Sequence, residues 1–247
     1  MRKLSYIVAL LAFMIGASTA SAQATAQFAK ANQEFAGGDF NAAISDYEEL
    51  VRSGQDTPNL FYNLGNAYFR KKDFGRAILN YERARALDPH HPEAQANLRI
   101  ARDEARALEL VPSKLEQALA FATPNQYAIT SVIGFWICAF CVAFLIFNQR
   151  RRRSVIALSI LSLSVLAVAV FAAWELSRGK NGAGWAIVIT ENADARLATA
   201  DNANRVLSLP AGSEIQILSE RGDWIYAALP NNLRGWLPSK SAEQVRL

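Results

Sequence analysis

The chain has 247 residues, two cysteines, two histidines and a formal net charge of +4. Arg150 to Arg153 account for the whole of that excess, which argues against a basic face built for nucleic acid. Hydrophobic residues make up 51% of the chain. The surplus over an ordinary soluble domain sits in three segments, so a single evenly packed core is excluded and about two small domains' worth of sequence remains.

Residues 1–22 read as a secretory signal: Arg2 and Lys3, an apolar run from Tyr6 to Gly16, and Ala20-Ser21-Ala22 as a cleavage site. Cleavage starts the mature chain near Gln23. An uncleaved anchor is the alternative, and either one exports the adjoining segment.

Residues 23–110 contain a repeat. At an offset of 34 residues, Gly38-Asp39-Phe40 falls on Lys72-Asp73-Phe74, Ala43-Ile44 on Ala77-Ile78 and Tyr47-Glu48 on Tyr81-Glu82. That period with helical spacing is the signature of stacked helix pairs. In the second unit Phe61, Leu64, Gly65 and Tyr68 lie on the first helix. Ala77, Tyr81 and Ala84 lie on the second, and Pro89 closes it. Gly65 and Ala77 let the helices approach. This unit resembles the tetratricopeptide repeat family, which implies an α-helical solenoid with a concave, partner-binding face made by the first helices. The first unit, with Gln27, Lys30 and Glu34, is a degraded outer repeat. A third helix, Pro92 to Leu110, carries Ala94, Leu98, Ala101 and Leu108 on one side. Arg99, Arg102, Asp103, Glu104 and Arg106 are expected to solvate the other, making it a capping helix.

The same offset superposes Asn32 on Asn66 and Asn63 on Asn97, an amide ladder with Tyr62, Phe69 and Arg70 beside it. Amides supply both donors and acceptors, which suits the backbone of an extended peptide. The alternative is that they are solvated surface residues. Asn32 and Asn63 match the asparagines of the family's carboxylate-clamp members. Phe28, Glu93 and Asn97 stand where the basic residues should be, which argues against a C-terminal carboxylate ligand. His90 and His91 precede Pro92 and read as an exposed turn, two adjacent side chains being too few for a metal.

Residues 111–125 predict an amphipathic linker helix with Ser113 and Glu116 at capping-box spacing and a stripe of Leu115, Ala118, Leu119 and Ala122. It lies on the membrane surface or is a plain linker. Residues 126–174 predict a transmembrane hairpin. No charge occurs from Asn125 to Asn148 or from Ser154 to Trp174, and each run meets the roughly 20 residues a span needs. Arginines in a short loop stay cytoplasmic, so both flanking segments face the other side. Cys138 and Cys141 lie within the first span, where hydrocarbon disfavours the thiolate that redox or metal work needs.

Residues 175–184 form a Gly-containing linker, and 185–247 a small β domain. Ala186–Thr190, Arg205–Leu209, Glu214–Ser219, Trp224–Leu229 and Arg234–Pro238 read as five short strands separated by turn residues. Leu209-Pro210-Ala211-Gly212-Ser213, Gly222-Asp223-Trp224-Ile225-Tyr226-Ala227 and Gly235-Trp236-Leu237-Pro238 resemble bacterial SH3-like domains, which implies a small all-β barrel. Trp224 and Trp236 are candidate partner contacts there, or else core and rim residues. The early aromatic cluster of polyproline-binding members is missing from Ala193 to Ala203.

The expected fold class is therefore multidomain: solenoid, two-helix hairpin and SH3-like barrel. No catalytic constellation is evident, so the chain reads as a non-enzymatic scaffold with no cofactor. The order of parts, with Pro124, Asn125, Tyr127 and Ala128 entering the hairpin, resembles the BatE-type family of the Bacteroides aerotolerance operon. That resemblance implies a bacterial inner-membrane protein with both mature termini periplasmic. It implies partners among von Willebrand factor A domain proteins and a MoxR-type ATPase system. The alternative is an envelope anchor whose SH3-like domain binds peptidoglycan.

Overall fold

A computed structural model describes residues 23–147, 152–178, 182 and 184–246. The signal segment 1–22 and the centre of the arginine turn, 148–151, lie outside the described residues.

Five helices make the first domain: α1 (residues 23–36), α2 (Phe40–Arg52), α3 (Pro58–Arg70), α4 (Phe74–Leu87) and α5 (Pro92–Ala105). The repeat shows in their ends. Asp39 and Asp73 cap α2 and α4 by accepting from the amides of Ala42 and Arg76, each at 3.1 Å. Thr57 caps α3 and Pro58 supplies its first turn. Phe35 and Phe69 each meet the phenylalanine opening the next helix edge-on, at 5.5 Å. A Cβ on Gly65 would sit 2.7 Å from the Tyr81 ring, so only glycine lets α3 and α4 close on that tyrosine.

After α5 come a short helix α6 (Lys114–Leu119) and two long ones, α7 (Pro124–Phe147) and α8 (Arg152–Arg178). Both long helices are long and apolar enough to cross a membrane. They pack on each other where small residues allow it. A Cβ on Gly134 would be 3.4 Å from Leu166 Cβ and Ser162 O, and Tyr127, Cys141, Ala169 and Ala172 are buried along the pair. Phe135, Trp136, Phe140 and Ile146 are exposed on the outside of the pair.

The last domain is an antiparallel sheet of seven strands, not five: β1 (Trp185–Val188), β2 (Ala193–Arg196), β3 (Arg205–Leu209), β4 (Glu214–Arg221), β5 (Trp224–Ala228), β6 (Arg234–Pro238) and β7 (Ala242–Gln244). Their order across the sheet is β3-β2-β6-β5-β4-β1-β7. The two strands that sequence pattern does not reveal, Ala-Asp-Ala-Arg and Ala-Glu-Gln, contain no β-branched or aromatic residue; the ladder to neighbouring strands holds them.

Strand β1 is buried on both faces. Side chains alternate across a strand, so Ala186 and Val188 enter the sheet's own core while Trp185 and Ile187 enter the core of the helices. The sheet thus docks along α4. Gly75 of α4 makes room: a Cβ there would be 3.0 Å from the Ile189 Cα and O and the Val188 O. Polar bonds frame the seam. Arg83 reaches Glu243 at 2.7 Å and the Gln244 carbonyl at 2.9 Å. The extended chain after α5 pairs with the β3–β4 turn, Glu214 N–H donating to Leu108 O at 2.8 Å and Leu110 N–H to the Glu214 carboxylate at 2.9 Å. Arg102 is the main departure from expectation. It does not solvate a cap but is ion-paired with Glu82 at 2.5 Å and with Glu214, its side chain 14% exposed.

Candidate functional site

In a helix-pair solenoid the first helices form the concave face; here they are α1, α3 and α5. The sheet occupies the α4 side and leaves that face uncovered. Asn32, Asn63, Asn66 and Asn97 all lie there, half-buried, and the structure joins them into two equal units. Asn32 Oδ1 accepts from the Tyr47 hydroxyl at 2.6 Å and from Asn63 Nδ2 at 2.9 Å. Asn66 Oδ1 accepts from Tyr81 at 2.8 Å and from Asn97 Nδ2 at 2.8 Å. The residue separations are 15 and 31 in both units. Each asparagine carbonyl therefore joins a first helix to the second helix of its own repeat and to the first helix of the next.

This bonding limits what the ladder can offer a ligand. The carbonyls of Asn32 and Asn66 are already shared. Among the described residues, Nδ2 of Asn32 and Asn66 and Oδ1 of Asn63 and Asn97 make no further hydrogen bond, so alternating donors and acceptors remain. The tyrosines below are committed to the fold. Burial pushes the Tyr47 hydroxyl up to about 12, against the Asn63 amide, which favours the phenolate. Burial raises Tyr81 too, and Tyr68, which also donates to Glu48.

The flanking residues differ from one another. Arg70 is exposed, its guanidinium 4.6 Å above the Phe40 ring. Phe69 is half-buried on Phe74. Tyr62 lies between the Tyr81 ring at 6.2 Å and the His91 ring at 5.0 Å. His91 is accordingly not an exposed turn residue: it is buried, and its Nδ1 caps α5 by accepting from Ala94 N–H at 3.3 Å. Ile100, 34 residues beyond Asn66, is exposed on α5 and extends this face with an apolar contact; the offset itself was the signal for it.

Residues 28–92 match the tetratricopeptide repeat family. The match covers most of the first repeat and all of the second, and repeats of this family generally mediate protein–protein interaction. A comparison with curated proteins finds no match.

The sheet carries a second candidate face beside the tetratricopeptide domain. Along β5 and β6, Ile225, Ala227 and Leu237 are buried, while Trp224, Tyr226, Trp236 and Pro238 alternate onto the outer side. Trp236 is the cross-strand partner of Tyr226, with ring centroids 5.0 Å apart, and Trp224 is the partner of Pro238. Neither tryptophan is a core residue. Tyr226, not among the sequence-based candidates, shares their face; the alternation Trp224-Ile225-Tyr226 was the signal. Among the described residues no cluster of three His, Cys, Asp or Glu side chains is arranged to hold a metal ion.

Proposed function

We propose that this chain is a non-enzymatic, membrane-anchored docking protein whose tetratricopeptide groove receives an extended segment of a partner. One observation carries the reading: the sheet covers the solenoid from the α4 side, so the first helices keep their amides, Tyr62, Phe69 and Arg70 available. The hairpin of α7 and α8 holds the domains at the bilayer. The seam supports that topology independently of charge, because domains before and after the hairpin pack together only if the chain crosses an even number of times. The resemblance in order of parts to BatE-type proteins favours a bacterial inner-membrane setting with both domains periplasmic. It also favours partners of the von Willebrand factor A type served by a MoxR-type ATPase.

A second reading rests on Trp224, Tyr226 and Trp236. Aligned aromatic faces suit a sugar polymer, so an SH3-like sheet that binds peptidoglycan would use this side.

One comparison separates the two. Arg70→Glu with Ile100→Glu alters the groove without touching the asparagine bonds. Trp224→Ala with Trp236→Ala alters the outer face of the sheet. Interface arginines and apolar anchors commonly contribute about 1–3 kcal/mol or more, about ten- to hundredfold in affinity. Co-purification of membrane partners should be lost in the first variant and retained in the second. The opposite pattern, or sedimentation with cell wall abolished only by the tryptophan variant, refutes the groove and favours peptidoglycan.

A further inference from the structure

In α6 and the turn after it two large apolar side chains are exposed, Leu115 at 42% and Phe121 at 82%; Val111, 72% exposed, precedes them and lines the cleft toward the sheet. The backbone that carries them is well fixed. Ser113 and Glu116 close a capping box on α6. On the other side of the segment Leu119 and Ala122 pack with Tyr127 of α7 against Ala169 and Ala172 of α8. The Tyr127 hydroxyl donates to the Leu119 carbonyl at 3.0 Å, and the Phe121 ring meets the Tyr127 ring edge-on at 5.6 Å. The stripe expected to face lipid is therefore divided. Leu119 and Ala122 serve the hairpin, and Leu115 of that stripe is left outside together with Phe121, which the stripe did not include, at a height the hairpin sets.

The surroundings say what covers them. Phe121 stands three residues before α7 begins at Pro124. At the same end of the hairpin, Trp174 of α8 is exposed with the Arg178 guanidinium 4.2 Å from its ring. Exposed aromatics with adjacent cations are what the boundary between headgroups and acyl chains selects. The head side of the segment differs in character. A cleft of about 900 Å³ separates it from the β5–β6 turn, and its walls mix Lys114, Gln117 and Arg234 with Val111, Leu229 and Leu233. The exposed Lys114, Gln117 and Arg234 in those walls keep that side of the segment in contact with water.

We propose that α6 and residues 120–123 lie in the interfacial layer of the bilayer, with Leu115 and Phe121 inserted among the lipids. This collar then sets the height and tilt of the repeat-and-sheet head above the membrane, which two spans alone would leave free to swing. The proposal rests on α7 and α8 being membrane spans.

The test uses the full chain with Cys138→Ala and Cys141→Ala, reconstituted into phosphatidylcholine–phosphatidylglycerol vesicles. Single cysteines replace Leu115, Gln117, Phe121, Phe140 or Lys240 and carry a nitroxide. Collisions with oxygen, which partitions into lipid, are compared with collisions with a water-soluble nickel chelate. Oxygen should dominate at Phe121 and Leu115 as at Phe140, and nickel at Gln117 as at Lys240. If Phe140 is in lipid while Phe121 and Leu115 behave like Lys240, the collar is in water and the proposal fails while the spans stand. Shielding of Leu115 and Phe121 from both reagents means that protein covers them, which also overturns it. Nickel access at Phe140 removes the spanning reading and the collar together.

Discussion

Arg102 of α5 and Glu214 of β4 are ion-paired across the seam between the tetratricopeptide domain and the sheet. Glu82 of α4 takes the same guanidinium, and the side chains of Glu82 and Glu214 are only 2% and 1% exposed. Removing the cation leaves the Glu214 carboxylate buried without this counter-ion, still accepting from Leu110 N–H, while Glu82 keeps Arg85 at 3.1 Å. Breaking a buried pair in this way costs about 3–5 kcal/mol. Arg102→Ala should therefore speed amide exchange at Leu108, Leu110 and Glu214, whose N–H groups bond across the seam. Lys30→Ala is the comparison, since Lys30 pairs with Asp46 while 62% exposed. A pair so open to water should leave stability and exchange nearly unchanged when it is removed. Equal effects from the two would show that the seam is not held by this network.

Glycines test the packing on either side of α4. At Gly65 the obstacle to a side chain is the Tyr81 ring, and at Gly75 it is the backbone of Ile189 and Val188. A ring can shift a little; a paired strand next to it cannot without opening the seam. Overpacking costs about 1–3 kcal/mol, against a gain in helix propensity of up to about 1 kcal/mol for Gly→Ala. Gly75→Ala should loosen β1 while α2 and α3 keep their exchange protection. Gly65→Leu should lower the helical melting temperature itself. A Gly75→Ala protein with unchanged exchange along β1 would contradict the docking described.

The asparagines hold repeats together as well as facing the groove, so they are poor choices for a purely functional mutation. Asn66→Ala leaves the buried Tyr81 hydroxyl without its acceptor, a loss of about 1–3 kcal/mol. Tyr81→Phe removes the donor instead and should cost nearer to about 1 kcal/mol. The double variant should be less destabilised than the sum, with a coupling of about 0.5–3 kcal/mol. Strict additivity in urea unfolding would mean that the bond contributes nothing. Of the residues placed beside the ladder, Arg70 is the one whose replacement probes binding with least effect on the fold.

Much of this was legible in the chain. The 34-residue offset revealed the repeat because each unit needs the same small, aromatic and capping residues. The paired separations, 15 from asparagine to tyrosine and 31 from asparagine to asparagine, were equally visible, but what they meant was not: spacing does not show that a hydroxyl and an amide point at one another. Arg102 looked like a solvating residue because one of its partners, Glu214, lies 112 positions away. His91 looked exposed because Pro92 marks a turn, and nothing local announced the Tyr62 ring against it. Continuous burial of Trp185 to Val188 was readable as an apolar run, but not that two different cores share the strand.

Alkaline titration should report the ladder. Tyr47 is neutral in the fold, with its hydroxyl pushed from 10 up to about 12. A raised value means that its contribution is complete below about pH 10, and that it is lost as pH rises from there through about 12. The slope over that window is about 1.4 kcal/mol per pH unit for each such group. Tyr47→Phe should flatten part of the fall in stability above about pH 10 and change little at about pH 8 beyond the lost hydrogen bond. An identical alkaline profile in the variant would place the titrating group elsewhere.

The seam also decides how a truncation must be read. Deleting residues 184–247 removes a candidate binding surface, but it also strips cover from α4. Ile78 and Leu79 are almost fully buried in a core completed by Trp185, Ile187 and Val245. Exposing an isoleucine or leucine side chain costs about 1.5–3 kcal/mol when burial was complete, and the Arg102 network is broken as well. The truncated protein should therefore melt at a lower temperature by its helical signal and bind hydrophobic dyes, whatever its sheet would have bound. Loss of partners on truncation then says nothing about which domain recruits them, whereas Trp224→Ala with Trp236→Ala leaves the seam intact and does. The measurement is the helical melting curve of the truncated chain beside that of the tryptophan variant. If the truncated chain melts as high as the full one, the sheet is a separate module and the solenoid needs no cover from it.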